Sequence, residues 1–186
     1  IDALIAEYPD AGCELDYGSR YQLLVSVILS AQTTDAAVNS ITPALFQAAP
    51  DPASMLRLSQ EDLEKYIRRI GLYKNKAKNV LAMTRVLVDE FGGEVPGSFD
   101  ELVSLPGVGR KTANVVLAEA FGQQQIAVDT HVFRVANRLK LAVGSTPLEV
   151  EKGLQKAIPK EKWSEAHHWL IWHGRKICKA RRPLCG

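Results

Sequence analysis

Pro106-Gly107-Val108-Gly109 places one proline and two glycines within four residues, between two stretches whose apolar residues recur three and four apart. A helix does not run through it, because proline lacks the N–H and glycine tolerates the φ > 0 values of a sharp turn. The pattern predicts a short helix up to Leu105, a tight hairpin, and a second helix starting directly after Gly109. Such a hairpin leaves the unpaired N–H groups of the turn and of the first helical turn around a surface bare of side chains, a geometry that holds a phosphate. Arg110 and Lys111 follow at once, and eighteen positions beyond Lys111 stands Asp129, after the apolar run Ile126-Ala127-Val128. An anion cradle, an amine and a carboxylate are therefore close together in one stretch of chain.

The segments on either side also read as helices separated by Pro, Gly, Ser and Asp clusters. Tyr21 to Gln32 is nearly all apolar and is expected to be a buried central helix, followed by a second helix to about Phe46. Ser59 with Asp62 and Ser98 with Glu101 stand at capping-box spacing, and Thr146-Pro147-Leu148-Glu149 is a strong helix start. Gly71-Leu72-Tyr73 breaks one helix. The next, about Lys74 to Phe91, carries Ala77, Leu81, Thr84, Val88 and Phe91 on its apolar face and Lys74, Lys78 and Arg85 on another. Beyond the hairpin, Ala113, Val116, Leu117 and Phe121 are expected to be buried, Asp129 or Thr130 to cap the following helix, and Val132, Val135 and Leu139 to form its stripe. A last helix is expected from about Ser164. No alternating strand pattern of useful length and no internal repeat occurs, so the fold class is all-α.

The chain has 186 residues, 46% hydrophobic and 24% charged, as in a soluble globular protein. No apolar window reaches the roughly 18 to 20 residues of a membrane-spanning helix, and no signal peptide is recognisable. A cytoplasmic location and no membrane partner are expected. The chain opens on Ile, so the native N-terminus is expected to lie upstream of it. The net charge of +2 is unevenly spread: residues 1 to 60 hold seven acids against two bases, a balance of −5 that leaves +7 for the remainder. The densest basic part is the end, Arg175, Lys176, Lys179, Arg181 and Arg182. It suits a phosphate-contacting surface, or equally a solvated tail.

Lys111 is the sharpest chemical candidate. A lysine facing a partly buried, low-dielectric cleft has its charged form disfavoured, which frees the amine to act as a nucleophile. An amine attacks electrophilic carbons such as the anomeric carbon of a sugar, and the resulting Schiff base acidifies the neighbouring carbon and permits elimination. Asp129 could stabilise developing positive charge and assist proton transfer. Taken singly, a lysine at a helix start is ordinarily solvated and an Asp before a helix is ordinarily its N-cap.

LPGVGRKTANVVLAEAFG followed by IAVDTHVFRVANRL resembles the helix-hairpin-helix and Gly/Pro-Asp motif of the base-excision DNA glycosylase superfamily, and within it the endonuclease III family. The segments LLVSVILSAQTTD, IRRIGLYKNKAKN, GGEVP and HHWLIWHGRKIC are similar to that family in the same order. The resemblance implies a bifunctional glycosylase and abasic-site lyase that excises oxidised pyrimidines from duplex DNA and cleaves the backbone by β-elimination. Lys111 would be the amine nucleophile and Asp129 its catalytic partner. Pro106, Gly107, Val108, Gly109, Arg110 and His131 would contact DNA, as would Lys179, Arg181 and Arg182. Gln32 would fill the space left by the flipped nucleotide, and Leu72 would wedge into the stack from the other side. Without the resemblance, Gln32 reads as a buried helix-end amide and Leu72 as an ordinary core leucine.

The resemblance further implies two helical domains with a DNA-binding cleft between them. Residues 13–123 would form a six-helix barrel containing the hairpin, and 1–12 with 124–186 an iron-sulfur-type domain. Damaged double-stranded DNA is the expected partner and a monomer the expected state. Of the three cysteines, Cys178 and Cys185 match the first two ligands of the family's C-x6-C-x2-C-x5-C motif for a 4Fe-4S cluster, which needs four thiolates. The other two ligands are expected beyond Gly186. Cys13 reads as inert packing. His167, His168 and His173 lack metal-site spacing and are expected to serve packing and hydrogen bonding within the last helix.

Two glycosylases of the same fold are rivals. An adenine-removing enzyme has Tyr or Ser in place of Lys111 and a Glu where this chain has Val27, and an oxidised-guanine enzyme lacks the C-x6-C ending. A non-enzymatic helix-hairpin-helix module would need neither Lys111 nor Asp129.

Overall fold

The computed structural model describes residues 1–184, and among the described residues there are helices and turns but no strand. The chain divides into two compact units, Glu14–Val116 and Ile1–Cys13 with Leu117–Gly186. Helix α1 (Asp2–Glu7) belongs to the second of these.

The unit Glu14–Val116 contains α2 (Arg20–Leu29), α3 (Asp35–Asn39), α4 (Thr42–Ala48), α5 (Pro52–Met55), α6 (Gln60–Ile67), α7 (Tyr73–Phe91), α8 (Phe99–Ser104) and the first part of α9 (Arg110–Phe121). Helix α2 is apolar on every side and is buried accordingly, with Leu23, Leu24 and Leu29 fully enclosed. Each such side chain contributes about 1.5–3 kcal/mol relative to an exposed one. Inside this packing the Tyr21 hydroxyl meets Thr84 Oγ1 at 2.7 Å, and burial holds the phenol far above its ordinary pKa. Helix α2 ends earlier than the apolar pattern suggests. Ser30 closes it by donating from Oγ to the Val27 carbonyl (2.9 Å), and Thr33 N–H donates back to Ser30 O at 3.0 Å. Gln32, expected inside the helix, lies beyond this cap.

Helix α7 lies against α2, α5 and α6. Its buried side chains are Lys76, Ala77, Val80, Met83, Thr84 and Leu87. The expected line through Leu81, Val88 and Phe91 is thus displaced: Ala77 and Thr84 are buried, but Val88 is exposed. Residues 80, 83 and 87 form an equally apolar line one position away, and three packed neighbours select it. Lys74, Lys78 and Arg85 are exposed as expected.

The other unit holds α1, the end of α9, α10 (Thr130–Arg138), α11 (Pro147–Ala157), a 3-10 turn at Lys160–Lys162 and α12 (Trp163–Lys176). Helix α10 packs on α11 and α12, and α1 on α12. Their shared core includes Tyr8, Val132, Val135, Val150, Leu154, Trp169 and Leu170. Leu139, expected in this core, is exposed because α10 ends at Arg138 and Ala136 completes the buried face. The helix starts read from sequence carry real caps: Ser59, Ser98, Asp129 and Thr146 each accept a backbone N–H through the side chain. Each cap stabilises its helix by roughly 1 kcal/mol.

Candidate active site and nucleic-acid interface

The hairpin is built as its residues dictate. Helix α8 stops at Ser104, Leu105 is extended, and Val108 N–H donates to Leu105 O at 3.1 Å. Buried Leu105 and Val108 anchor the turn, while Pro106 is half-buried. Gly107 has φ +77, and a Cβ there would stand 2.8 Å from Cβ of Asn79 on α7. Gly109 faces open space, so no side chain covers the backbone before α9 begins at Arg110. Among the described residues, the N–H groups of Gly107 and Gly109 have no protein partner. The Arg110 guanidinium lies over the Phe99 ring, 4.7 Å from its centroid, and links the start of α9 to the start of α8.

The two glycines are therefore unequal. Gly107→Ala is expected to cost about 1–3 kcal/mol from the left-handed backbone and the collision with Asn79. At about 2–4 °C of Tm per kcal/mol for a chain of this size, thermal unfolding resolves it easily. Gly109→Ala, with neither strain nor collision, should leave Tm within about a degree.

Lys111 is the second residue of α9 and is exposed. The expected partial burial of its amine is not met, because the buried side of α9 runs through Ala113, Asn114, Val116 and Leu117 and the first turn projects from it. Asp129 is the N-cap of α10: Oδ1 accepts from Val132 N–H at 2.8 Å. Oδ2 takes no partner among the described residues. Lys111 lies in the unit Glu14–Val116 and Asp129 in the other.

His131, the second residue of α10, is half-buried, and its Nδ1 lies 3.1 Å from Arg134 Nη2. The guanidinium donates, so Nδ1 is the acceptor and the ring is neutral. Burial depresses the imidazole pKa; Asp129 opposes this, while Arg134 and Arg175 reinforce it.

Gln32 and Leu72 share an unusual backbone. Both are non-glycine residues in the left-handed region, with φ 53 and 59, and both are exposed, Leu72 to 56%. Gln32 is not a buried helix-end amide, and Leu72 is not a core leucine. Each conformation costs about 1–3 kcal/mol and gains no packing in return.

The basic end is a closed loop and not a frayed tail. Leu184 N–H donates to Ile177 O at 2.9 Å, closing the segment that exposes Lys179, Arg181 and Arg182. Arg134 donates to the carbonyls of Cys178 (3.0 Å) and Gly174 (2.9 Å), and Arg138 to those of Lys179 and Ala180 (both 2.8 Å). These two arginines, which sequence reasoning did not single out, hold the loop to α10. Cys178 is buried, and its Sγ accepts from Arg138 Nη1 at 3.5 Å. A buried sulfur beside the loop, already accepting a hydrogen bond, fits one position of a thiolate cluster. Cys185 lies outside the described residues.

Two histidines of α12 bond outside their own helix, where bonding within it was expected, while His167 packs within it. His168 Nε2 meets Glu119 Oε1 of α9 at 2.7 Å, and His173 Nδ1 meets the Tyr8 hydroxyl at 3.1 Å. His167 stacks on His168 with ring centroids 4.0 Å apart. Glu119, His167 and His168 thus bring their ligating atoms within 4.8 Å of one another, a group invisible to spacing along one helix. No helix of the described residues is long and apolar enough to cross a membrane.

Comparison with known proteins identifies the family. The family model for HhH-GPD superfamily base excision DNA repair protein matches residues 25–160. Endonuclease III of Rickettsia conorii is 52% identical over 177 residues, 95% of this chain and 84% of that protein. Endonuclease III of Bacillus subtilis is 50% identical over 186 residues, 100% of this chain and 85% of that protein. A solved structure of a trapped endonuclease III–DNA covalent intermediate superimposes with a TM-score of 0.96 at 51% identity, covering 99% of this chain and 87% of that one. A non-covalent endonuclease III–DNA complex gives the same TM-score of 0.96 and covers 86% of its chain. The chain belongs to the HhH-GPD superfamily of base excision DNA repair proteins.

Proposed function

We propose that this base excision DNA repair enzyme removes oxidised pyrimidines from duplex DNA and then cleaves the abasic strand, with Lys111 as nucleophile. The observation that carries the reading is the hairpin Pro106–Gly109, with side-chain-free N–H groups directly ahead of the exposed Lys111 at the start of α9. Backbone N–H groups grip a phosphate without reading sequence, as befits an enzyme that acts wherever damage occurs. Arg110, His131, Lys179, Arg181 and Arg182 are proposed to add contacts on the backbone.

The damaged nucleotide must leave the stack, at a cost of a few kcal/mol that is smallest for poorly stacked lesions. Gln32 and Leu72 are proposed to occupy the vacated space and open the stack. Exposed side chains on strained backbone suit that role. The extruded nucleotide covers Lys111 and removes water from its amine. Lys111 Nζ then attacks C1′, the bond to the base breaks, and the base departs with its electron pair and takes up a proton. One proton passes from the nitrogen to the ring oxygen as the C1′–O4′ bond breaks, which leaves a protonated imine at C1′. Loss of a proton from C2′ then expels the 3′ phosphate, which breaks the strand, and water hydrolyses the imine to free Lys111. The Asp129 carboxylate is proposed to stabilise the cationic sugar and to relay protons.

A 4Fe-4S cluster is proposed to be held by Cys178, Cys185 and further thiolates. When bound it would supply a structural cross-link beside the basic loop that Arg134 and Arg138 already fasten.

A duplex carrying a single thymine glycol tests the function. Base release followed by strand cleavage, with little action on oxidised guanine or on adenine mispairs, is the expected result. Binding without cleavage of an abasic duplex would point to the non-enzymatic module instead.

A further inference from the structure

Lys76 lies in the first turn of α7, four residues after Leu72, and is only 4% exposed. Its Nζ donates to Thr33 Oγ1 at 2.7 Å, and its backbone N–H donates to Leu72 O at 3.0 Å. Thr33 directly follows Gln32, and its hydroxyl passes the hydrogen bond on to Ala31 O at 3.4 Å. One side chain thus ties the turn that carries Gln32 to the helix start that carries Leu72, and both lie in the unit Glu14–Val116.

The fold gains little from a lysine there. No carboxylate pairs with the ammonium among the described residues, and burial alone pushes its pKa below the ordinary lysine value. A methionine would fill the same path without taking a charge out of water. A costly buried group joined to two strained turns points to a role outside stability.

We infer that Lys76 is a positioning residue: its bond to Thr33 holds Gln32 and Leu72 in register, so that both side chains enter the base stack together when a nucleotide is extruded. The inference rests on the insertion roles proposed above for Gln32 and Leu72. A left-handed non-glycine turn relaxes unless its surroundings hold it. Without the tie each turn samples other conformations, and the fraction of molecules ready to open the stack falls in proportion.

The test compares Lys76→Met, Thr33→Val and their double variant with wild type. Extrusion is read from 2-aminopurine placed beside a thymine glycol in duplex DNA. Cleavage of a pre-formed abasic site in single-stranded DNA, where no stack has to open, serves as control, together with thermal melting. Each single variant should slow extrusion and base release by about tenfold, and the double variant no further than the slower single. Single-stranded cleavage should stay within about twofold, and Lys76→Met should melt at or above the wild-type temperature. Thr33→Val removes only the hydroxyl and probes the same bond if Lys76→Met folds poorly.

Wild-type extrusion in Lys76→Met and Thr33→Val overturns the inference. So does a parallel fall in extrusion, single-stranded cleavage and melting temperature, which marks a merely structural lysine. Gln32→Ala and Leu72→Ala separate the two levels. If they slow extrusion and Lys76→Met does not, the coupling alone fails. If neither slows it, the insertion roles fail and the inference with them.

Discussion

Lys111→Ala is expected to lower kcat/KM for base release and strand cleavage by on the order of 10³-fold or more, because it removes the group that forms the covalent intermediate. The fold should hardly notice. Lys111 is exposed in the first turn of α9, where alanine is at least as good a helix former, so stability should change by no more than about 0.5 kcal/mol. Binding to undamaged duplex should weaken only by the loss of one phosphate-neutralising charge, with the slope of log K against log salt smaller by about 1. Single-turnover kinetics, melting and salt-dependent binding on the same preparation separate these outcomes. A variant that still cleaves an abasic duplex at more than about a tenth of the wild-type rate would mean that another amine does the chemistry.

Asp129→Asn should separate two jobs done by one side chain. Asn caps a helix as well as Asp does, so the bond from Val132 N–H at 2.8 Å survives and stability should hold within about 0.5 kcal/mol. The negative charge is lost, and with it the group proposed to stabilise the cationic sugar and move protons; a loss of about 10²–10⁴-fold in kcat is expected. Asp129→Ala should lose the same activity and about 1 kcal/mol of stability as well. Equal activity in wild type and Asp129→Asn would reduce Asp129 to a cap and nothing more.

Features governed by neighbours along the chain were legible in the sequence. The hairpin with its left-handed Gly107, the helix beginning at Arg110 and the caps at Ser59, Ser98, Asp129 and Thr146 follow from local sterics and hydrogen bonding, and local sequence specifies both. Features set by distant parts of the chain were not legible. The buried line of α7 was read one position away because residues 80, 83 and 87 are as apolar as 81, 88 and 91, and only packed neighbours decide between them. Lys76 looks like any helix-surface lysine until α7 is folded against the turn that contains Thr33. The left-handed backbone of Gln32 arises where Ser30 stops α2 inside an apolar run that gives no stop signal.

At the chain's end, Arg138 and the carbonyls it binds are separated by 41 and 42 positions, so a basic run that could have been a loose tail becomes a fastened loop. The exposure of Lys111 is the sharpest departure from expectation. A nucleophilic lysine was expected to be desolvated by its own protein, whereas here the nucleotide is the proposed cover.

Borohydride trapping reads out the nucleophile itself. Wild-type chain incubated with duplex DNA containing an abasic site or a thymine glycol, in the presence of borohydride, should yield a stable protein–DNA adduct. Mass spectrometry of the digested adduct should place the DNA remnant on Lys111, and Lys111→Ala should give none. No adduct from wild type, or an undiminished adduct from Lys111→Ala, would exclude Lys111 as the nucleophile.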